Sequence, residues 1–365
     1  MVASDENRTR QAPITALGDL DTMPSQENRR FVLTRHMDAG PVEPCVEMRR
    51  EAMPQPGPGE VLTRVLLISV DPANRGWASA NPPSYSPGVR VGDTMRAITL
   101  DEVVASNHPG FAPGDIVHGM SGWQDYAVAP GEALTKVSGG GQLSHHISVY
   151  GLSGLTAWIG LLEVGQPKAG ETVLVSAAAG SVGSLVGQIA KAKGCRVIGS
   201  AGSDEKCRWL VEELGFDGAV NYRAGPVRPE LRRLCPDGVD VYFDNVGGEM
   251  LQAALLLSND HARIVCCGVI SRWDESQPNE SPKGIPGLIA MKSLRLEGFI
   301  VFQHLHRRDQ ITAGLVELME AGKLTVREDI IEGLENTPAA LGALFAGENL
   351  GKRLVRVAAP TGAQG

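Results

Sequence analysis

The chain lacks the long apolar runs and the basic blocks that mark several large classes of protein. No apolar run approaches the roughly 18 residues that a membrane-spanning helix needs, and the N-terminus has no charged and then apolar signal pattern. The net charge of -8 and the absence of a Lys/Arg-rich block argue against nucleic acid or an anionic membrane as a partner. We therefore expect a cytoplasmic protein whose partners are small molecules or a second copy of itself.

The cysteines, six in all, lack the spacing of a disulfide framework or a metal site. They are scattered without a Cys-x-x-Cys pair, and Cys45 has no His or Glu at ligand spacing. The adjacent Cys266 and Cys267 are expected to point to opposite faces of one strand. A Gly-x-Ser-x-Gly elbow is also absent, which argues against a hydrolase of that type. The sequence thus predicts reduced thiols and no metal site.

What is present divides the chain into two kinds of sequence. Its 365 residues exceed a typical single domain of about 100 to 200 residues. From Arg29 to about Val149, short strand-like runs alternate with turns rich in Pro and Gly; beyond Tyr150, strands alternate with helices. We predict an α/β protein with a flexible extension over 1–27, a barrel-like module over 28–150 and 321–365, and a doubly wound parallel module over 151–320.

The stretch "TVLVSAAAGSVGSLVGQIAKA" has the features of a dinucleotide-binding turn. A strand runs into Ala-x-Gly-x-x-Gly and then into an amphipathic helix, which is the context that the motif requires. Gly180 would let the backbone approach a pyrophosphate, Gly183 would let helix and strand pack closely, and the helix N-terminus would face the phosphates. The alternative is an ordinary turn of small residues. The candidate cofactor-binding residues here are Ala178, Gly180, Ser181, Val182 and Gly183.

The end of the next strand indicates which dinucleotide is bound. NAD enzymes usually place Asp or Glu about 20 residues beyond the glycines to bind the ribose hydroxyls, but this chain has Ala201 there. Lys206 follows one turn into the next helix, where an ammonium group suits a dianionic 2'-phosphate. These residues predict NADP(H) as the cofactor. The alternative for Lys206 is a solvated helix residue.

Further motifs give the chain a family resemblance. Together with the glycine turn, it contains "SVDPANRGW", "ASNHPGFAPGD", "GLSGLTAW", "YFDNVGGEML", "CCGVIS" and "GENLGKRLVRV". Over residues 28–357 it resembles the zinc-independent medium-chain dehydrogenase/reductases, and within them the leukotriene dehydrogenase/prostaglandin reductase family of NADPH-dependent alkenal/one oxidoreductases. The resemblance implies a GroES-like β-barrel catalytic domain, a Rossmann domain and a homodimer. It also implies reduction of the carbon-carbon double bond of enones and enals.

The resemblance carries further cofactor contacts over to this chain. Lys206 and Tyr222, with Ser203 nearby, would hold the 2'-phosphate and its ribose, and Asn245 would lie beside the cofactor. Asn349 would close over the nicotinamide from the last segment. The wall along the ribose and nicotinamide would comprise Cys267, Gly268, Ile270, Phe299, Ile300 and Val301. Each position also has a purely structural alternative, since residues 299–301 read as a buried strand and Asn245 as a turn cap.

Two departures from the family pattern leave the catalytic group open. Ala73 and Trp273 stand where family members commonly carry tyrosine, and a phenol at the second position is the expected donor to the substrate carbonyl. The candidate catalytic groups are therefore the indole N–H of Trp273, Tyr85 of "PSYSPG" and the ribose 2'-hydroxyl of the cofactor. Two alternatives to an enone reductase remain: an NADPH:quinone reductase, and an NADPH-binding protein without catalysis.

Overall fold

Strands and helices follow one another in two groups along the chain. The structure, a computed structural model, describes residues 27–138, 141–273 and 282–361. The strands are β1 Glu27–Leu33, β2 Val46–Ala52, β3 Glu60–Ser69, β4 Thr99–Ser106, β5 Ile116–Gly119, β6 Tyr126–Pro130, β7 Thr135–Lys136, β8 Thr172–Val175, β9 Arg196–Ala201, β10 Gly218–Asn221, β11 Val239–Asp244, β12 Ser258–Cys266, β13 Arg295–Gly298, β14 Glu328–Glu332 and β15 Lys352–Arg356. The helices are α1 Pro72–Trp77, α2 Leu152–Trp158, α3 Ser181–Ala192, α4 Asp204–Glu212, α5 Val227–Leu234, α6 Gly248–Leu257, α7 Ile285–Lys292, α8 Arg308–Glu320 and α9 Thr337–Phe345.

A parallel sheet forms the second half of the fold, in the order β10-β9-β8-β11-β12-β13. Its residues alternate between two cores, because successive side chains of a strand point to opposite faces. Val173 and Val175 of β8 pack with α2, α3, α4 and α8, whereas Leu174 packs with α5, α6 and α7. Helices therefore cover both faces, and the predicted doubly wound Rossmann sheet is confirmed. The strand order reverses between β8 and β11.

A mixed sheet forms the other module, and it corresponds to the expected GroES-like fold. Its order is β14-β15-β3-β4-β5-β7, with β6 also paired to β3. The β14–β15 pair is parallel and the other pairs are antiparallel. The last segment joins the N-terminal module because Leu354 of β15 pairs with Ser69 of β3. Strands β1 and β2 form a separate ribbon, in which Glu27 pairs with Ala52. Glu27 therefore belongs to β1 rather than to the predicted extension, whose residues 1–26 lie outside the described part.

The two modules meet at the glycine-rich turn. The N–H of Gly351 donates to the carbonyl oxygen of Ala179 at 2.9 Å, just before β15 begins. The Lys206 Nζ donates to the Gly347 carbonyl oxygen at 2.7 Å, and the Arg223 Nη2 to that of Ala346 at 3.0 Å. These bonds hold the returning segment against the carboxyl ends of the parallel strands. Over the described residues, every helix is too short or too polar to cross a membrane.

Candidate active site

A cavity of about 1230 Å³ opens between the two modules, where β8 and β11 end. This is the point at which the strand order reverses, and open α/β sheets bind their ligands at such a point. Most of the predicted site residues line it: Tyr85, Gly180, Ser181, Val182, Gly183, Lys206, Tyr222, Asn245, Cys267, Gly268, Ile270, Phe299, Ile300, Val301 and Asn349. Ala73, at the position of the first missing tyrosine, lines it as well.

Two of the candidate residues that the structure describes, Ala178 and Ser203, do not contribute a side chain to this lining. Ala178 is fully buried in the core beneath the turn, and its N–H donates to the carbonyl oxygen of Ser200 at 2.8 Å. The hydroxyl of Ser203 accepts the Lys206 N–H at 3.2 Å, so that this side chain caps α4. Trp273 ends a short 3-10 turn, but its side chain lies outside the described part of the structure.

The glycine-rich turn packs so closely against the start of α3 that Gly183 has no room for a side chain. A Cβ on Gly183 would lie 2.5 Å from the Ala177 carbonyl oxygen and 2.8 Å from the Cα of Ala178, and both are backbone atoms that cannot give way. Gly180 is the N-cap of α3 and offers no side chain to the first N–H groups of the helix. These donors and the positive end of the helix dipole are free to receive a phosphate.

Hydrogen bonds fix the two strand ends that border the cavity. The side-chain amide of Asn245 donates to the Ser176 carbonyl oxygen at 2.8 Å, and its N–H donates to the Ser176 hydroxyl at 2.9 Å. Burial raises the pKa of Asp244, whose carboxyl accepts the Tyr242 hydroxyl at 2.7 Å and the Gly247 N–H at 2.8 Å. These bonds hold the end of β11 rigidly against the end of β8. A rigid backbone at this place suits Asn245 as a residue that positions a cofactor.

Two cations stand together where the adenosine end of a dinucleotide would lie. Lys206 and Arg223 both line the cavity, and within the described residues neither is paired with a carboxylate. Burial, and then the charges of Arg223 and Arg353, lower the pKa of Lys206. A dianion between the two cations would remove this repulsion, so the arrangement fits the 2'-phosphate of NADP(H). Sequence analysis missed Arg223; its only sequence signal is its place directly after Tyr222.

Aromatic rings line another part of the cavity. The rings of Tyr85 and Phe302 are stacked, with centroids 6.1 Å apart and planes at 27°. Phe302 also contacts Trp77, at 6.5 Å and 49°. Tyr85 and Trp77 come from the barrel module and Phe302 from the segment after β13, so this contact crosses between modules. Burial raises the pKa of Tyr85, which keeps its phenol protonated and able to donate a hydrogen bond.

The cysteines and acidic residues of the site show no reactive or metal-binding arrangement. Cys267 lines the cavity, but burial raises the pKa of its thiol to about 12, and the neighbouring Cys266, the last residue of β12, is exposed. A thiol with such a pKa is not a nucleophile at neutral pH. Across 27–138, 141–273 and 282–361, no group of three or more His, Cys, Asp or Glu side chains could hold a metal ion.

The fold and the cavity together define a dinucleotide-dependent oxidoreductase. Sequence families described as "N-terminal domain of oxidoreductase" and "Zinc-binding dehydrogenase" match residues 29–137 and 181–321. The chain is 43% identical over 338 residues to the NADPH-dependent curcumin reductase of Escherichia coli (strain K12), covering 91% of this chain and 98% of that protein. It is 38% identical over 339 residues to the NADP(+)-dependent 2-alkenal reductase of Nicotiana tabacum, covering 90% and 97%.

Solved structures agree with this assignment. The NADPH complex of CurA from Vibrio vulnificus is 39% identical, with a TM-score of 0.85 over 91% of this chain and 100% of that chain. The chain belongs to the zinc-independent medium-chain dehydrogenase/reductases, in the family of enone and alkenal reductases. The predicted family and the predicted cofactor, NADP(H), are confirmed.

Proposed function

We propose that this protein uses NADPH to reduce the carbon-carbon double bond of α,β-unsaturated ketones and aldehydes. The observation that carries the proposal is one cavity that combines a phosphate-binding turn, a pair of cations and an apolar aromatic region. The names of the curcumin and alkenal reductases to which the chain is similar support it. When bound, NADPH supplies the hydride that adds to the β-carbon of the substrate.

The residues of the chain bind and orient the reactants. Lys206 and Arg223 hold the 2'-phosphate, and the first N–H groups of α3 hold the pyrophosphate. Asn245 and the segment 267–270 fix the ribose side, while residues 299–301 back the nicotinamide. Asn349 is held by its own segment, because its amide donates to the Gly351 carbonyl oxygen at 3.0 Å. Such positioning contributes to the rate, because it turns the encounter of hydride donor and substrate into an effectively unimolecular step.

Negative charge develops on the substrate carbonyl oxygen as the hydride adds, and a hydrogen-bond donor is needed to stabilise that charge. Tyr85 supplies that donor in this proposal, since its ring lines the cavity and its phenol stays protonated. The indole N–H of Trp273 remains the second candidate. A proton from water then adds to the α-carbon of the enolate, which completes the reaction and needs no strong acid in the cavity.

Oxidation of NADPH by the purified protein tests the proposal. A medium-chain enone, an enal and a simple quinone are offered as acceptors, with NADH in a parallel series. We expect turnover of the enone and the enal, with NADPH well ahead of NADH. Turnover of the quinone alone would make the protein a quinone reductase, and tight NADPH binding without turnover of any acceptor would make it a binding protein.

We propose a homodimer that joins through the β13 edge of the parallel sheet, a domain division into 28–150 with 321–365 and 151–320, and a cytoplasmic location. The exposed free thiol of Cys266 supports a reducing compartment. The net charge of -8 favours small-molecule partners over nucleic acid and anionic membranes. Cell fractionation would test the cytoplasmic location. Limited proteolysis at the proposed domain boundaries, with and without NADPH, would test the domain division.

A further inference from the structure

Helix α5 carries two exposed arginines that are not paired with acidic side chains. Its third arginine, Arg233, lies 3.0 Å from a carboxylate oxygen of Glu230. Within the described residues, the side chains of Arg228 and Arg232 have neither a hydrogen bond nor an ion pair. Because they are four residues apart, they are neighbours on one face of the helix, and two like charges at this spacing destabilise it.

The helix dipole makes the position of Arg228 unfavourable as well. Arg228 is the second residue of α5, next to the positive end of the dipole, where acidic side chains are stabilising and basic ones are not. Arg232 lies in the last turn and suits the dipole. The stability of the helix thus accounts for the place of Arg232 and leaves that of Arg228 without a local explanation.

The first turn of α5 lies at the rim of the cavity. The helix follows β10, so it begins at the carboxyl end of the parallel sheet, where the cavity opens. Arg223 and Val227 line the cavity, and Arg228 directly follows Val227. Side chains of a helix tilt towards its N-terminus, so the guanidinium groups of Arg228 and Arg232 lean towards this rim.

The rim is positive although the whole chain carries a net charge of -8. Lys206 and Arg223 lie inside the cavity there, and the two unpaired arginines of α5 add to their charge. The acidic groups on this side of α4 are Asp204 and Glu205 in its first turn. At physiological salt, charges act over about 8 Å. An approaching anion therefore responds to this rim more than to the distant charges that make the chain acidic.

The charge of the cofactor matches this surface. NADPH carries about four negative charges at neutral pH and NADH about two, because the 2'-phosphate of NADPH adds up to about two. We propose that Arg228 and Arg232 steer NADPH into the cavity, by attracting its phosphates during the approach and not by contacting the bound cofactor. The proposal rests on the NADP(H) site and not on the reduction of enones. Attraction grows with the charge of the ligand, so steering favours NADPH over NADH before either is bound.

The test measures the association and dissociation rate constants separately, by stopped-flow fluorescence of NADPH without any acceptor. Arg228→Glu reverses one charge of the rim and suits the helix dipole, so the helix stays folded. At low ionic strength, we expect its association rate constant for NADPH to fall by about threefold to tenfold, and that for NADH to fall less. The dissociation rate constant should stay within about twofold, as is typical of a rim charge. Salt at about 0.5 M should abolish the difference from the wild type, because it screens the charges.

Lys193→Glu is the matched control, since it makes the same change of charge at the exposed lysine that ends α3, at the opposite end of the sheet. It should leave both rate constants within about twofold of the wild type. Arg232→Gln, which removes the second charge without reversing it, should slow association by a smaller factor than Arg228→Glu.

Three results would overturn the proposal. Association of NADPH could be unchanged in Arg228→Glu, its fall could persist at high salt, or NADH could be slowed equally. A dissociation rate that rises as much as the association rate falls would also overturn it, because Arg228 would then be a direct ligand of the bound cofactor. Since no acceptor is present, each of these outcomes is independent of whether the protein reduces enones.

Discussion

Among single residues, the two cations of the cavity do the most to define the cofactor. Lys206 and Arg223 come from different elements, and each also donates to a carbonyl oxygen of the segment 346–347. An ammonium has three donors and a guanidinium has five, so both groups can keep these bonds while they bind a phosphate. Binding of a 2'-phosphate at these two cations would therefore complete the existing network without rearranging it.

Lys206→Ala should weaken the binding of NADPH but not that of NADH. A hydrogen bond to a charged group contributes about 1.5–3 kcal/mol, so we expect the KM for NADPH to rise by about 10- to 100-fold. The KM for NADH should change by less than twofold, because NADH has no 2'-phosphate. Steady-state kinetics with both cofactors measure the two values, and Lys193→Ala, at an exposed lysine of the same sheet module, is the control. An equal rise for both cofactors would contradict the assignment.

Tyr85→Phe should slow the chemical step without weakening cofactor binding. Loss of one donor to a developing oxyanion typically lowers kcat by about 100-fold or more. We expect a fall of that order for aryl and alkyl enones alike, with an unchanged dissociation constant for NADPH measured by fluorescence. Trp273→Phe tests the other candidate in the same assay. A fall in kcat only in the Trp273 variant would transfer the role to the indole.

The residues that the sequence pattern alone located, without the family resemblance, were those whose neighbours in space are also neighbours in sequence. The glycine turn is such a case, because strand, turn and helix follow one another directly. Arg223 was missed because only the pairing of β10 with β9 brings it near Lys206. Ser203 does not line the cavity, and its hydroxyl accepts the backbone N–H of Lys206 in its own helix. Local hydrogen bonding of this kind competes with ligand binding.

Among the elements, those with clear periodicity were predicted and those without it were missed. The sequence of β2, "VEMRREA", carries four charged residues and has mostly exposed side chains, so only its backbone pairing with β1 identifies it as a strand. Helix α2 ends at Trp158, and a π-helical turn, Ile159–Gly165, continues it. Such turns depend on packing against neighbouring elements rather than on local preference.

Gly183→Ala should disturb the contact between β8 and α3. The added methyl would press on backbone atoms of the turn, and overpacking of this kind costs about 1–3 kcal/mol of unfolding free energy. We expect a lower melting temperature and weaker NADPH binding. Gly342→Ala in α9 is the control, since its Cβ would lie 3.5 Å from the Glu43 side chain, an ordinary contact. Equal melting temperatures for Gly183→Ala and the wild type would refute the close approach.

Asp101 in β4 should make the stability of the barrel module depend on pH. Burial raises the pKa of this carboxyl to about 6, although Thr63 and Ser121 donate to it. Because the folded pKa exceeds the unfolded value, the stabilising contribution is complete below about pH 4 and is lost as the pH rises through about 6. A rise of about two pH units corresponds to about 3 kcal/mol.

Asp101→Asn tests this by removing the titration. Between pH 5 and pH 7.5 the melting temperature of the wild type should fall relative to that of the variant, since the amide stays neutral throughout. Asp237→Asn, at an exposed aspartate, should follow the wild type at every pH. Parallel pH profiles for Asp101→Asn and the wild type would contradict this prediction, because they would show that folding does not change the pKa of Asp101.

In the whole molecule, the site exists only where the two modules meet. From hydrophobic periodicity and turn residues, the sequence predicted a module of short strands and a module in which strands alternate with helices. It did not predict the bonds from Lys206 and Arg223 to residues 346–347, which join segments far apart in the chain. Contacts of this kind depend on the assembled topology. The proposed boundaries between the domains stay predictions.

The β13 edge of the parallel sheet should join two copies of the chain. Helix α7 beside it has no buried residue although most of its side chains are apolar, and Met291 is 81% exposed. Met291→Glu should therefore leave the monomer folded and shift the mass measured by light scattering from dimer to monomer. Val211→Glu, at an exposed apolar side chain of α4, should remain dimeric. A dimer that survives Met291→Glu unchanged would move the interface elsewhere.

The position of β15 has a consequence for the order in which a newly synthesised chain can fold. The parallel sheet has all its strands once Gly298 has left the ribosome, but β3 and β14 wait for Lys352–Arg356 to lie between them. The nucleotide-binding sheet can thus form before the mixed sheet is complete, because domains generally fold as units during synthesis. The same late strand brings Gly351 to the Ala179 turn. In a chain whose synthesis stopped before β15, the parallel sheet would have all its strands, whereas the mixed sheet would lack the strand between β14 and β3. We therefore expect NADPH binding to begin only after translation has passed β15.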